Sequence, residues 1–464
     1  MTAYWCELAW LGGASAEAGV LIDVQEGRIA AVTGGVPSPL SGARRLDGLT
    51  LPGLANAHSH AFQRALRGRT QHGTGSFWTW REQMYRVADR LDPDSYLALA
   101  RATYAEMALA GVTTVGEFHY VHHGPGGVPY EDANAMGRAL IGAAGEAGVR
   151  ITLLEACYLH GGIGEPPGGA QQRFCDGTAE AWAERVEELA AGEPAGTGAA
   201  VGGAERSVGR GVPASVRIGA AIHSMRAVDP EATAVVAGWA AEERRPLHAH
   251  VSEQPAENAA CVEAYGRTPT ALLADTGALS ADFTAVHATH LDDADVSLLG
   301  EAGACCCVCP TTERDLADGI GAMRRLVDAG ASLSLGSDSH AVIDLFEEAR
   351  AVELDERLAS GERGRHSAAG LLRAASEGGQ ACLGWPDAGR IEVGTRADLV
   401  TVALDGVRLA GTEPDNALEA VVFAAGAADV RNVIVDGREI VTDGRHTTIE
   451  VPRELHDAVL AVVA

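Results

Sequence analysis

Eight short apolar segments rich in β-formers recur through the middle of this 464-residue chain, each separated from the next by residues with helical periodicity and turn signals. They run over 51–58, 112–118, 150–157, 216–222, 246–251, 283–287, 303–309 and 331–337. Few architectures accept that repeat. Strand–helix alternation predicts a parallel sheet, because parallel neighbours need a long crossover, and eight such units close into an α/β fold, the (β/α)8 TIM-like barrel. Functional side chains in such a barrel project from the C-terminal ends of the strands.

The flanks have a different texture. Short alternating runs such as Val20-Leu21-Ile22-Asp23 and Ala397-Asp398-Leu399-Val400-Thr401-Val402 lie before residue 51 and after about 385, with Gly turns between them. Neither end is large enough to bury a core alone, so together they predict one small β-sandwich. The expected organisation is 1–50 and 385–464 as the two parts of that sandwich, with 51–384 as the barrel. The stretch 190–214 is rich in Gly and Ala without periodicity and reads as a flexible insertion of no assignable role.

Composition removes several functions. The chain carries 36 basic against 63 acidic residues, a net charge of −27, which argues against nucleic acid as a partner. All 36 basic residues are arginine. A chain without lysine forms no pyridoxal Schiff base, no P-loop lysine contact and no carbamylated lysine bridging two metals. No apolar run reaches the ~18 residues of a membrane span, and the N-terminus lacks a basic region followed by an apolar stretch, so a cytoplasmic protein with no membrane partner is expected. Nine cysteines without regular spacing read as reduced thiols. The run Cys305-Cys306-Cys307-Val308-Cys309 reads as a buried strand, since neighbours on a strand face opposite ways and cannot share one ion.

Four barrel-strand ends carry metal-ligand residue types. The first ends Asn56-Ala57-His58-Ser59-His60, placing two imidazoles on one face. The fifth gives His248-Ala249-His250-Val251-Ser252-Glu253, the sixth ends Val286-His287-Ala288-Thr289-His290, and the eighth ends Gly336-Ser337-Asp338-Ser339-His340. Three imidazoles and a carboxylate suit Zn²⁺ or Fe²⁺, which would lower the pKa of a bound water towards neutrality. Glu253, just beyond a ligand strand, is placed to move a proton, and His287 to orient the nucleophile; His248, His290 and His340 read as structural groups or as groups that support the ligands from behind.

These residues resemble the amidohydrolase superfamily, and the segment Gly394-Thr395-Arg396-Ala397-Asp398-Leu399-Val400 looks like that superfamily's C-terminal sandwich segment. Without lysine, the mononuclear deaminase branch is implied. The resemblance implies one Zn²⁺, or Fe²⁺, per subunit on His58, His60, His250 and Asp338, with Glu253 and His287 handling protons and Asp338 also contacting the nucleophilic water. A homodimer is the superfamily's usual state.

Three strings narrow the substrate. His58-Ser59-His60-Ala61-Phe62-Gln63-Arg64, Ser76-Phe77-Trp78-Thr79-Trp80-Arg81 and Glu117-Phe118-His119-Tyr120-Val121-His122-His123 look like the branch that hydrolyses N-formimidoyl-L-glutamate to N-formyl-L-glutamate and ammonia in histidine degradation. That resemblance implies that Gln63, Arg81, Tyr120, His223 and Arg226 bind this small molecule, its two carboxylates included. Residues 61–90 hold six arginines against two acids, most of them expected on a solvated helix face. Trp78 and Trp80 are expected to pack the first βα loop. In Thr311-Thr312-Glu313-Arg314-Asp315-Leu316-Ala317-Asp318-Gly319, Ala317 stands where the branch has Gly. Two rival readings remain: a nucleobase or S-adenosylhomocysteine-type deaminase with the same metal set, and an inactive barrel serving as a binding protein.

Overall fold

The computed structural model describes residues 2–71, 74–191 and 214–463. The expected insertion at 190–214 therefore lies outside the described residues over 192–213. From the N-terminus come β1 (Thr2–Ala9), β2 (Glu17–Gln25), β3 (Arg28–Thr33) and β4 (Arg44–Pro52). The central strands are β5 (Leu54–Ser59), β6 (Val112–His119), β7 (Arg150–Cys157), β8 (Val216–Ile222), β9 (Leu247–Val251), β10 (Phe283–His287), β11 (Cys305–Val308) and β12 (Ser332–Leu335). Near the C-terminus lie β13 (Leu399–Val402), β14 (Val430–Val435), β15 (Arg438–Thr442) and β16 (Arg445–His446).

Strands β5 to β12 pair in sequence order and in parallel, forming a nearly closed eight-stranded barrel wrapped by helices. The seam between β12 and β5 is joined beyond the strand ends: the Asp338 peptide NH donates to the His58 carbonyl at 3.0 Å, and the His60 NH donates to the Asp338 carbonyl at 3.2 Å. Closure of the barrel and juxtaposition of candidate ligands are thus one set of hydrogen bonds. The helices punctuate as sequence physics requires. Pro93–Leu109, for example, has Pro at its first position and an Asp92 carboxylate accepting from the Ser95 NH at 2.8 Å, a cap worth about 1 kcal/mol.

The second sheet has the order β16-β15-β14-β13-β4-β1-β2-β3 and takes strands from both chain ends. The first barrel strand begins at Leu54, three residues later than its apolar pattern suggests. Leu51 and Pro52 instead pair with Val400 and Leu399 in the second sheet. The chain passes from one sheet to the other at Gly53, where a Cβ would lie 2.4 Å from Thr113 Oγ1 and 2.7 Å from the Asp398 Cβ. Only glycine fits that crossing. Strands β11 and β12 are likewise shorter than 303–309 and 331–337. The C-terminal part is not only strands, since helices Ala417–Ala424 and Val451–Val463 complete it, the latter packing on Pro93–Leu109.

Arg150, at the start of β7, ties the two sheets together. Its guanidinium pairs with both oxygens of Asp398, lies 3.2 Å from Asp436 Oδ1 and donates to Thr114 Oγ1 at 3.0 Å. Cys305 to Val308 form the buried strand expected of them, and all nine cysteines are free. Among the described residues no helix is long and apolar enough to cross a membrane.

Candidate active site

Each candidate ligand stands at or just past the C-terminal end of a barrel strand: His58 in β5 and His60 one residue beyond it, His250 in β9, and Asp338 in the turn after β12. The carboxylate Oδ1 of Asp338 lies 3.3 Å from His58 Nε2 and 3.3 Å from His60 Nε2, while His58 Nε2 and His250 Nε2 are 3.1 Å apart. One donor atom from each of the four residues lies within 4.8 Å of the others. Gly336 permits the approach, because a Cβ there would sit 2.7 Å from the Cβ of His58.

Hydrogen bonds behind the ligands fix what the cluster can hold. His60 Nδ1 meets the Phe118 carbonyl at 2.8 Å, and His250 Nδ1 meets the His223 carbonyl at 2.8 Å. A carbonyl only accepts, so both rings carry their proton on Nδ1 and present an Nε2 lone pair inward. Burial first, and then neighbouring imidazoles, hold His58 and His60 well below the ordinary histidine pKa and push His250 down to about 3. Neutral nitrogens and one carboxylate converging without a positive charge between them fit a divalent transition-metal ion.

Two buried titratable groups border this cluster. Glu253 follows β9 by two residues, with Oε1 3.8 Å from His287 Nε2, and His287 Nε2 is 4.0 Å from Asp338 Oδ2. Burial raises the Glu253 pKa. Burial opposes charge on His287, yet Glu253, Glu313 and Asp338 outweigh it and lift that imidazole well above its ordinary value. The backbone is strained here: His287 has φ +67° and Asp338 φ +42°, left-handed conformations that only a firmly packed surrounding sustains.

A cleft opens above the cluster. Gln63, Arg81, Tyr120, His223 and Arg226 line it together with His60, His250, Glu253, His287 and Asp338. Gln63 Nε2 donates to the Tyr120 hydroxyl at 2.9 Å, while its buried Oε1 has no partner. The guanidinium carbon of Arg81 lies 4.4 Å from the Trp78 ring centre and 5.6 Å from that of Tyr85, so ring faces rather than an acid support it. Arg226 Nε is 3.9 Å from Glu257 Oε1 and makes no hydrogen bond. Two guanidiniums with bonding capacity left therefore face the cleft of a chain whose net charge is −27. Of the other arginines in 61–90, Arg64 and Arg67 both pair with Glu106. Trp80 lines the cleft instead of only packing the loop, whereas Trp78 lies outside it, 44% exposed, with its ring against Arg81.

The amidohydrolase family model matches residues 49–440. The chain belongs to the amidohydrolase family. This amidohydrolase is 38% identical over 416 residues to the formimidoylglutamate deiminase of Pseudomonas aeruginosa, covering 87% of each chain. It is 31% identical to the 8-oxoguanine deaminase of the same species, covering 91% of this chain and 89% of that one. A crystal structure of an amidohydrolase from Brucella melitensis superposes with a TM-score of 0.88 at 31% identity over the full length of both chains. The amidohydrolase is thus an enzyme of hydrolytic C–N cleavage, of the deiminase kind.

The three remaining histidines at the amidohydrolase's strand ends lie outside the four-residue cluster and turn their rings to other partners. His248 Nε2 meets the Cys382 carbonyl, His290 Nε2 the Asp318 carbonyl, and His340 lies between Ser337 Oγ at 2.9 Å and Ser59 Oγ at 3.2 Å. Ala317 keeps a glycine-like φ of +60°, so its departure from Gly strains one loop residue and leaves the ligands untouched. Sequence reasoning missed two groups. Glu313 reaches His287, and a second buried cluster of His119, His122 and Glu155 sits behind the barrel wall, with Arg185 Nη1 donating to Glu155 Oε2 at 2.7 Å. Neither has a local signature, since each depends on elements that meet only in the fold.

Proposed function

We propose that the enzyme hydrolyses N-formimidoyl-L-glutamate to N-formyl-L-glutamate and ammonia, a step of histidine degradation. The observation that carries this reading is the pair of cleft arginines, Arg81 and Arg226, beside the His/Asp cluster. Separated planar guanidiniums suit the two carboxylates of a dicarboxylate. His58, His60, His250 and Asp338 would hold one Zn²⁺, or Fe²⁺, which when bound supplies a Lewis acid and makes water nucleophilic near neutral pH. Gln63, Tyr120 and His223 complete the substrate contacts. Burial and the nearby His250 and Arg226 keep His223 neutral, so it is free to bond without adding charge.

Water adds to the formimidoyl carbon as Glu253 accepts one of its protons. His287 Nε2 and Asp338 orient that water; Glu253 passes the first proton to the imino nitrogen and then carries the remaining hydroxyl proton to the resulting amino group, which departs as ammonia. The carbon keeps the oxygen as the formyl carbonyl. The balance is one water in and one ammonia out.

The 8-oxoguanine deaminase relative and the rings of Phe77, Trp80 and Tyr158 around the cleft support a second reading, a planar base stacked in the same site. An analogue decides between them. Replacing the side-chain carboxylate of N-formimidoyl-L-glutamate by an amide removes one charge-assisted contact, worth roughly 1.5–3 kcal/mol or about 10- to 100-fold in kcat/KM. Equal rates for acid and amide would contradict the two-arginine reading.

A further inference from the structure

We propose that Glu313 is a positioning residue for His287, holding the imidazole by Nδ1 so that Nε2 stays turned towards the reacting centre. This deepens the role given to His287 above and rests on it.

Glu313 lies in the short helix Pro310–Asp315 that follows β11. Its carboxylate is buried and turns back on two donors: Oε1 accepts from the Cys309 peptide NH at 2.9 Å and from His287 Nδ1 at 3.3 Å. The helix is itself anchored. The Thr311 NH donates to Glu348 Oε2 at 2.9 Å, Thr312 Oγ1 donates to the Ser337 carbonyl at 3.3 Å, and the Ser339 NH donates to Thr312 Oγ1 at 3.2 Å. Glu313 is thereby fixed to the same turn that carries Asp338.

His287 needs such support. Its backbone is left-handed, and its Nε2 faces Glu253 and Asp338 at 3.8 and 4.0 Å, beyond direct hydrogen bonding. Among the described residues no hydrogen bond at Nε2 fixes the ring's rotation. A neutral imidazole presents one donor and one acceptor nitrogen, and which faces the site is set by the partner of the other. With Glu313 accepting at Nδ1, a lone pair or a second proton is available at Nε2 alone. A base oriented by a third, buried carboxylate is a recurrent way of activating a proton carrier.

The test is a double-mutant cycle on the metal-loaded full-length enzyme, using Glu313→Gln, His287→Asn and the double variant. Glu313→Gln keeps the shape and removes the charge. We expect kcat to fall about 10- to 100-fold, the range for partners that orient a functional histidine, with KM within about 3-fold and metal content unchanged. In the His287→Asn background the same substitution should change kcat less than about 3-fold, because Glu313 acts only through His287. A purely structural Glu313 would give the same loss in both backgrounds, and wild-type kcat in Glu313→Gln would equally overturn the proposal. The wild type separates this from the substrate reading. If it is silent on N-formimidoyl-L-glutamate, that reading fails, and the cycle is run on the amidine the enzyme does hydrolyse.

Discussion

Arg150→Met should unfold the joint between barrel and second sheet more readily than any surface change. Arg150 is fully buried, and Asp398, its bidentate partner, is 1% exposed. Methionine keeps most of the stem beneath Trp385, whose ring centre lies 5.4 Å from the guanidinium carbon. What it removes is the guanidinium that pairs with both oxygens of a buried carboxylate. Breaking such a pair from one side costs about 3–5 kcal/mol. Two features place this case at the lower end, about 3 kcal/mol. Asp398 keeps the Asp436 peptide NH at 2.9 Å, and the Asp436 side chain is partly exposed and can rehydrate. Arg150→Met/Asp398→Asn should recover most of that loss, because asparagine still accepts from the Asp436 NH without a buried charge. Urea unfolding of the metal-loaded protein, followed by tryptophan fluorescence, measures both. A loss under 1 kcal/mol in the single variant, or a double variant no more stable than the single, would refute the account of this joint.

Two further outcomes concern the site and a third the buried cluster behind the barrel wall. Glu253→Gln should retain one metal equivalent and lose about 10²- to 10⁴-fold in kcat, the usual worth of a positioned proton carrier; near-wild-type turnover would remove Glu253 from the mechanism. Arg81→Met should raise KM about 10- to 100-fold with metal content constant, and an unchanged KM would show that Arg81 meets no substrate charge. Burial and the charge of Arg185 push His122 down to about 3, below the 6.5 of an exposed histidine. A depressed histidine pKa means the unfolded chain takes the proton first, so stability present above pH 6.5 is lost as pH falls towards 3. By pH 5 this group alone should cost about 2 kcal/mol. His122→Gln should flatten the fall between pH 7 and 5, and parallel stability curves for the two proteins would contradict the assignment.

Much of this was readable before the fold. Strand–helix alternation gave the barrel because a parallel sheet buried on both faces leaves near-continuous apolar runs. His58, His60, His250, Glu253 and Asp338 stood out as candidates because they follow directly on those runs, and the fold brings them together at the strand ends. Other features depend on chain crossings that no local pattern encodes. Leu51 and Pro52 continue an apolar run into Leu54, and only the room taken by Thr113 and Asp398 at Gly53 separates the two sheets. Glu313 looked like one acid in an acidic stretch, since its meaning lies in a contact with His287, 26 residues earlier. Trp80 and Trp78 share a motif, yet one lines the cleft and the other faces solvent, a difference of helix face rather than of residue type.

Ammonia release by enzyme loaded with one equivalent of zinc should be measured on N-formimidoyl-L-glutamate beside guanine, cytosine and S-adenosylhomocysteine. Rapid release from the formimidoyl compound alone is the expected result; turnover of a base with none of that compound would leave the metal cluster standing and contradict the dicarboxylate pocket built on Arg81 and Arg226.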